Sequence, residues 1–149
     1  MINNTSPEIE ILLVEDSPHD AEMTLRALRK RNLANHIFHV KDGQEALDWL
    51  FGEGAYAGRD PTCRPKVVLL DLKLPKVDGV EVLRAIRGDP RTHFLPVVVL
   101  TSSQEEKDLI ATYELGVNSY IVKPVDFENF STAVAAMGHY WLLVNQKPK

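Results

Sequence analysis

Three short runs limit what this chain can fold into: residues 9–14, broken only by Glu10, residues 66–70, and residues 96–101. Each is too brief for a stable helix, is rich in valine, isoleucine and leucine, and lacks the alternation of a strand with one wet face. Runs of that kind form the inner strands of parallel sheets covered by helices on both sides. The segments between them carry helix signals. Ser17, Pro18 and Asp20 supply an N-cap, a first-turn proline and a first-turn acid; they predict a helix over 18–31 with Ala21, Leu25 and Leu28 inward and Asn32 as its stop. Residues 36–40 read as a strand. Asp42-Gly43 turns into a short helix over 44–50 with Ala46, Leu47 and Leu50 inward, and Asp78-Gly79 opens another, to Gly88, carrying Val80, Val82, Leu83 and Ile86. Ser103 to Glu106 form a capping box for a helix ending near Leu115, residues 119–122 form a strand stopped by Lys123-Pro124, and Asp126 caps a last helix reaching to near Val144. Five uninterrupted strand–helix repeats predict a doubly wound parallel α/β sheet, because right-handed crossovers put helices on both faces.

In such sheets ligands bind at the carboxyl ends of the strands. Glu15 and Asp16 close the first run and Asp71 closes the second; Thr101 and Lys123 fall at or just after two further strand ends. Three carboxylates at the edge of a buried sheet repel one another and raise each other's pKa unless a cation neutralises them. With no histidine or cysteine ligand nearby, the oxygen-only set suits a hard ion, and Mg²⁺, which uses few carboxylates and keeps waters for a phosphate to replace, fits best. The alternative is that acids at strand ends merely cap the following helices. Thr101 has the same alternative, Lys123 can be a solvated turn lysine, and Tyr120 a core aromatic.

A chain of 149 residues is about one domain's worth. A net charge of -4 argues against nucleic-acid or anionic-membrane surfaces, which demand clustered lysine and arginine. The one basic triplet, Arg29-Lys30-Arg31, sits where the first helix ends, and cations there complement the helix dipole. No stretch approaches the roughly 18 apolar residues of a membrane span, and the amino terminus lacks the apolar core of a leader. The single cysteine, Cys63, in a polar loop, fits a reducing cytoplasm. The five histidines show no metal-like pairing; His36 and His39, three apart on a strand, point to opposite faces. The loop over 52–65 holds three glycines, two prolines and four charged residues and is long for a compact domain.

The segments LLVED at 12–16, LLDLKLPKVDG at 69–79, VVVLTSS at 97–103 and YIVKP at 120–124 together resemble the receiver domain of two-component response regulators. The likeness runs from about residue 9 to residue 144, with residues 1–8 and 145–149 as tails. It implies a flavodoxin-like sheet in the order 2-1-3-4-5. It also implies that Asp71 is the phosphoacceptor, that Glu15 and Asp16 bind Mg²⁺ directly or through water, and that the Lys73 backbone carbonyl completes the protein ligands. Thr101 is then the switch hydroxyl, Tyr120 the switch aromatic, and Lys123 the partner of the phosphoryl group. Glu15 stands where aspartate is commoner in that pattern. The implied partner is a sensor histidine kinase, with a downstream phosphotransfer protein as a possible acceptor, and the implied role is a signalling phosphoacceptor rather than a turnover enzyme.

The 52–65 loop and the ending DFENFSTAVAAMGHYWLLVNQKP narrow the resemblance to small stand-alone regulators of bacterial and cyanobacterial phytochrome kinases, with no output domain following. The apolar stripe Phe127, Phe130, Val134 and Met137 accounts for the inward face of the last helix. Tyr140, Trp141, Leu142, Leu143 and Val144 in a row cover more than one helical face, which predicts a homodimer interface there. Two other functions compete. A phosphohydrolase of similar topology needs a second acid two residues after its nucleophile, where this chain has Lys73. A flavin or pure interaction domain needs a Ser/Thr/Gly-rich phosphate loop after the first strand, where this chain has Glu15-Asp16.

Overall fold

The computed structural model describes residues 9–30, 36–102 and 114–136. Five parallel strands, β1 (Ile11–Val14), β2 (Ile37–Val40), β3 (Val67–Asp71), β4 (Val97–Thr101) and β5 (Ser119–Val122), form one sheet in the order β2-β1-β3-β4-β5. The described helices are α1 (Pro18–Arg29), α2 (Gly43–Phe51), α3 (Gly79–Gly88) and α4 (Phe127–Ala136). Most of the helix expected from Ser103 lies outside the described residues, as do both tails, Met137 and the 140–144 run.

Strand alternation sorts the inner residues into two cores. Leu12, Val14, Val68, Leu70, Val97 and Val99 pack with α2 and α3. Ile11, Leu13, Val67, Leu69, Val98, Leu100 and Ile121 pack with α1 and α4. β1, β3 and β4 are buried at every position, as strands covered on both faces must be. The inward stripe of α1 is Ala21, Thr24 and Leu28, with Leu25 only half-buried at its margin. On α2, Trp49 is buried beside Ala46 and Leu50, while Leu47 is half-buried.

Trp49 is buried because the 52–65 segment closes over it. Its ring stacks on Phe38 at 5.2 Å, and the Arg59 guanidinium lies 3.5 Å from the ring centroid on top of it. The same guanidinium donates to Trp49 O at 2.6 Å and to Cys63 O. A short 3₁₀ turn, Gly54–Tyr56, brings the Tyr56 ring edge-on to Phe38, and its hydroxyl donates to Glu45 Oε2 at 2.6 Å. The segment is therefore a folded cover for one side of the edge strand β2.

At the amino ends of β4 and β5 a single side chain acts as a bracket. Arg87, in the last turn of α3, donates to His93 O and Leu95 O ahead of β4, at 3.0 and 2.7 Å. It also donates to Leu115 O, Gly116 O and Asn118 Oδ1 ahead of β5, at 3.1, 2.8 and 3.2 Å. Asn118 Oδ1 in turn accepts the Val97 amide at 2.9 Å.

Candidate metal centre

The opposite, carboxyl ends of the strands carry the polar groups. Leu13, Leu69 and Ile121 face the α1–α4 core, so alternation directs Glu15, Asp71 and Lys123, each two residues on, toward that same side. Register completes the convergence: Val14 pairs with Leu70 and Thr101 with Val122, while the Lys123 amide donates to Thr101 O at 2.8 Å. Thr101 and Tyr120 fall on the other face. Thr101 is nearly buried, at 8% exposure, and Tyr120 stands on β5 at 37%.

Glu15, Asp16 and Asp71 bring one carboxylate oxygen each within 4.8 Å of one another. Glu15 and Asp71 are buried and Asp16 is exposed, giving the cluster a wet side. Glu15 is fixed at several points. Its amide donates to Val40 O at 3.1 Å, its carbonyl meets His39 Nε2 at 2.8 Å, and Oε2 accepts the Ser17 amide at 3.2 Å. Asp71 Oδ1 accepts the Lys73 amide at 3.2 Å, which ties the start of the β3–α3 loop to the cluster.

One ammonium serves the site. Lys123 Nζ lies 2.7 Å from Glu15 Oε1 and 3.1 Å from both Asp71 Oδ2 and Asp20 Oδ2. Burial alone lowers the lysine's pKa, but its contacts with Glu15, Asp71 and Asp20 outweigh that and hold it above the ordinary value. Glu15 moves in the unusual direction for an acid with a lysine beside it: burial, reinforced by Asp71, pushes its carboxyl from 4.5 up to about 7. Its Oε1 meets the ammonium as a charge contact without an aligned hydrogen bond, leaving a buried oxygen without a directional partner. An under-neutralised cluster of hard oxygen donors with one exposed side fits a divalent cation that keeps some of its waters.

The structure thus brings together Glu15, Asp16, Asp71 and Lys123, sets Thr101 at the adjoining strand end, and keeps Tyr120 outward. It adds Asp20, which the sequence offered only as a first-turn helix acid. The signal was there in the spacing: Asp20, Thr24 and Leu28 follow at steps of four, and the last two form the buried stripe of α1.

A parallel five-stranded sheet whose carboxyl edge holds a carboxylate triad and a lysine defines a class of metal-assisted phosphoryl-binding site. The profile of the response regulator receiver domain matches residues 11–135, and the chain belongs to that family. It is 44% identical over 139 residues to the probable methanogenesis regulatory protein FilR2 of Methanothrix harundinacea, covering 93% of this chain and 86% of that protein. Among solved structures, the bacteriophytochrome response regulator AtBRR aligns with a TM-score of 0.81 at 54% identity, over 91% of this chain and 96% of its own. The Mn²⁺-bound form of response regulator Rcp1, a Synechocystis protein, aligns with a TM-score of 0.73 at 39% identity, over 91% of this chain and 95% of its own.

Proposed function

We propose that this chain accepts a phosphoryl group from a sensor histidine kinase on Asp71, with Mg²⁺ held by Glu15, Asp16, Asp71 and the Lys73 backbone carbonyl. The observation that carries the reading is the position of Asp71, whose two oxygens face different neighbours. Oδ2 lies 3.1 Å from the Lys123 ammonium, Oδ1 accepts the Lys73 amide at 3.2 Å, and one Asp71 oxygen lies within 4.8 Å of carboxylate oxygens of Glu15 and Asp16. An ionised carboxylate attacks phosphorus without a base. As the Asp71 oxygen bonds to phosphorus, the bond from phosphorus to the kinase histidine nitrogen breaks and its electrons return to the imidazole. A divalent cation held by Glu15, Asp16 and Asp71 would supply positive charge to offset the charge that builds on the phosphoryl group. Lys123, a compact charge on a flexible stem, neutralises a further phosphoryl oxygen, and the Thr101 hydroxyl donates to a third. Thr101 moving inward vacates space that Tyr120, half out of the protein, fills. Lys73 stands two residues after Asp71, where a phosphohydrolase of similar topology needs an acid, which disfavours that reading.

AtBRR, a bacteriophytochrome response regulator by its name, supports a phytochrome kinase as donor; a phosphotransfer protein as downstream acceptor and a cytoplasmic setting are proposed with it. Among the described residues no helix is long and apolar enough to cross a membrane. We also propose a homodimer through Tyr140, Trp141, Leu143 and Val144. The deciding experiment for the chemistry is intact mass after incubation with acetyl phosphate and Mg²⁺. Wild type gains one phosphoryl group and Asp71→Asn gains none; equal labelling of the variant would remove Asp71 as the acceptor.

A further inference from the structure

A lysine ammonium has three hydrogens to donate and no capacity to accept. Three carboxylate oxygens crowd the Lys123 ammonium: Asp71 Oδ2 and Asp20 Oδ2 accept hydrogen bonds from it at 3.1 Å, and Glu15 Oε1 lies at 2.7 Å as a charge contact. An incoming phosphoryl oxygen competes with all three for the ammonium. Glu15 and Asp71 belong to the carboxylate cluster, where a cation shares their charge and loosens their hold on the lysine. Asp20 does not. It sits in the first turn of α1, its amide anchored by Ser17 Oγ at 3.1 Å, outside the set of oxygens that converge within 4.8 Å.

From this geometry we infer that Asp20 is a positioning residue, a competing counter-ion that holds Lys123 back in the unphosphorylated protein and sets how readily the ammonium turns to an incoming phosphoryl group. The inference rests on the phosphoacceptor reading above. Asp20 takes no part in the bond changes; it acts only through Lys123. Its side chain is 36% exposed, so the ion pair is part-solvated and its hold is modest. Removing the charge therefore speeds phosphorylation by about two- to fivefold, the factor that a part-exposed ion pair carries.

The test is a double-mutant cycle on the rate of labelling by acetyl phosphate at fixed Mg²⁺, followed by intact mass, in wild type, Asp20→Asn, Lys123→Ala and the double variant. Asp20→Asn is expected to label faster than wild type, and the double variant at the same rate as Lys123→Ala. The same acceleration with and without Lys123 would mean simple repulsion of an anionic donor and would overturn the inference, as would a rate that is unchanged or slower. Calorimetric Mg²⁺ affinity is expected to stay within about twofold of wild type, because Asp20 lies outside the cation cluster. A second readout needs no phosphodonor. The Lys123 ammonium resonance in nitrogen-detected NMR of the Mg²⁺-loaded protein is expected to broaden in Asp20→Asn as its protons exchange faster. An unchanged line sinks the inference, whereas failure of wild type to label, with the line broadened as expected, sinks the phosphoacceptor reading instead.

Discussion

Glu15 carries the sharpest conflict between burial and charge among the described residues. Without metal its carboxyl titrates near 7 instead of 4.5, chiefly because burial penalises the anion. The sign follows from linkage. Below both values the folded and unfolded chains are protonated alike and the benefit of a neutral Glu15 is fully present. Between them the folded protein keeps a proton that the unfolded chain has lost, so stability falls as pH rises through that window. Urea midpoints of metal-free protein are therefore expected to drop from about pH 5 to about pH 7.5, with Glu15→Gln largely abolishing the drop. Millimolar Mg²⁺ restores wild type at the upper pH, since an ion that binds only the folded state stabilises it. Equal pH profiles for wild type and Glu15→Gln would contradict this account. At this scale the site was legible wherever a residue's position in a strand fixed its direction, as for Glu15, Asp71 and Lys123. Asp20 was less so: its spacing to Thr24 and Leu28 set its face, but its partner lies 103 residues away and its helix position has a sufficient local explanation as a first-turn acid.

Among the elements, the loop between β3 and α3 is held from both ends by glycines. A Cβ on Gly79 would come within 2.4 Å of Asp71 O, so the amino end of α3 packs directly on the backbone at the end of β3. A Cβ on Gly43 would lie 1.7 Å from Val77 O, so the first turn of α2 presses on the same loop, where Lys76 at φ 67 adopts a left-handed conformation and lies 3.6 Å from Asp42. Backbone cannot yield there as a flexible side chain would. Gly43→Ala and Gly79→Ala are each expected to destabilise by about 1–3 kcal/mol, the usual cost of overpacking. Gly88→Ala, with nothing within 4 Å of the added carbon, is expected to leave stability unchanged or raise it slightly. Thermal melts of the three variants check this, and a destabilised Gly88→Ala with a neutral Gly43→Ala would count against it. The turn signals Asp42-Gly43 and Asp78-Gly79 were readable as helix starts, but their role as close-approach points depends on contacts between elements that no local pattern encodes. The 52–65 segment makes the same point. Its composition reads as a polar loop, yet Arg59 on Trp49 and Tyr56 on Phe38 fold it into the edge of the core.

For the whole molecule, the two-sided core and the polar edge agree with the alternation of runs and caps in the sequence, because both faces of each inner strand demand apolar residues, while the strand order β2-β1-β3-β4-β5 was implied by the family resemblance alone. The proposed homodimer rests on the 140–144 run, outside the described residues. The described part of α4 buries Phe130, Ala133 and Val134 against the sheet and so uses one face for the domain's own core. Residues 140–144 further along the chain are apolar at all five positions, and aromatic anchors dominate interfaces. Sedimentation at micromolar concentration is expected to give a dimer for wild type and a monomer for Trp141→Glu. A monomeric wild type, or a variant that dimerises equally well, would refute it.

The Arg87 bracket gives β4 and β5 unequal ends. At their amino ends one guanidinium and Asn118 bind both strands through the backbone, while at their carboxyl ends the link nearest the site is the Lys123 amide on Thr101 O. On the switch proposed above, a displacement of Thr101 would pull on Lys123 through that backbone bond, while Arg87 ties the amino ends of both strands.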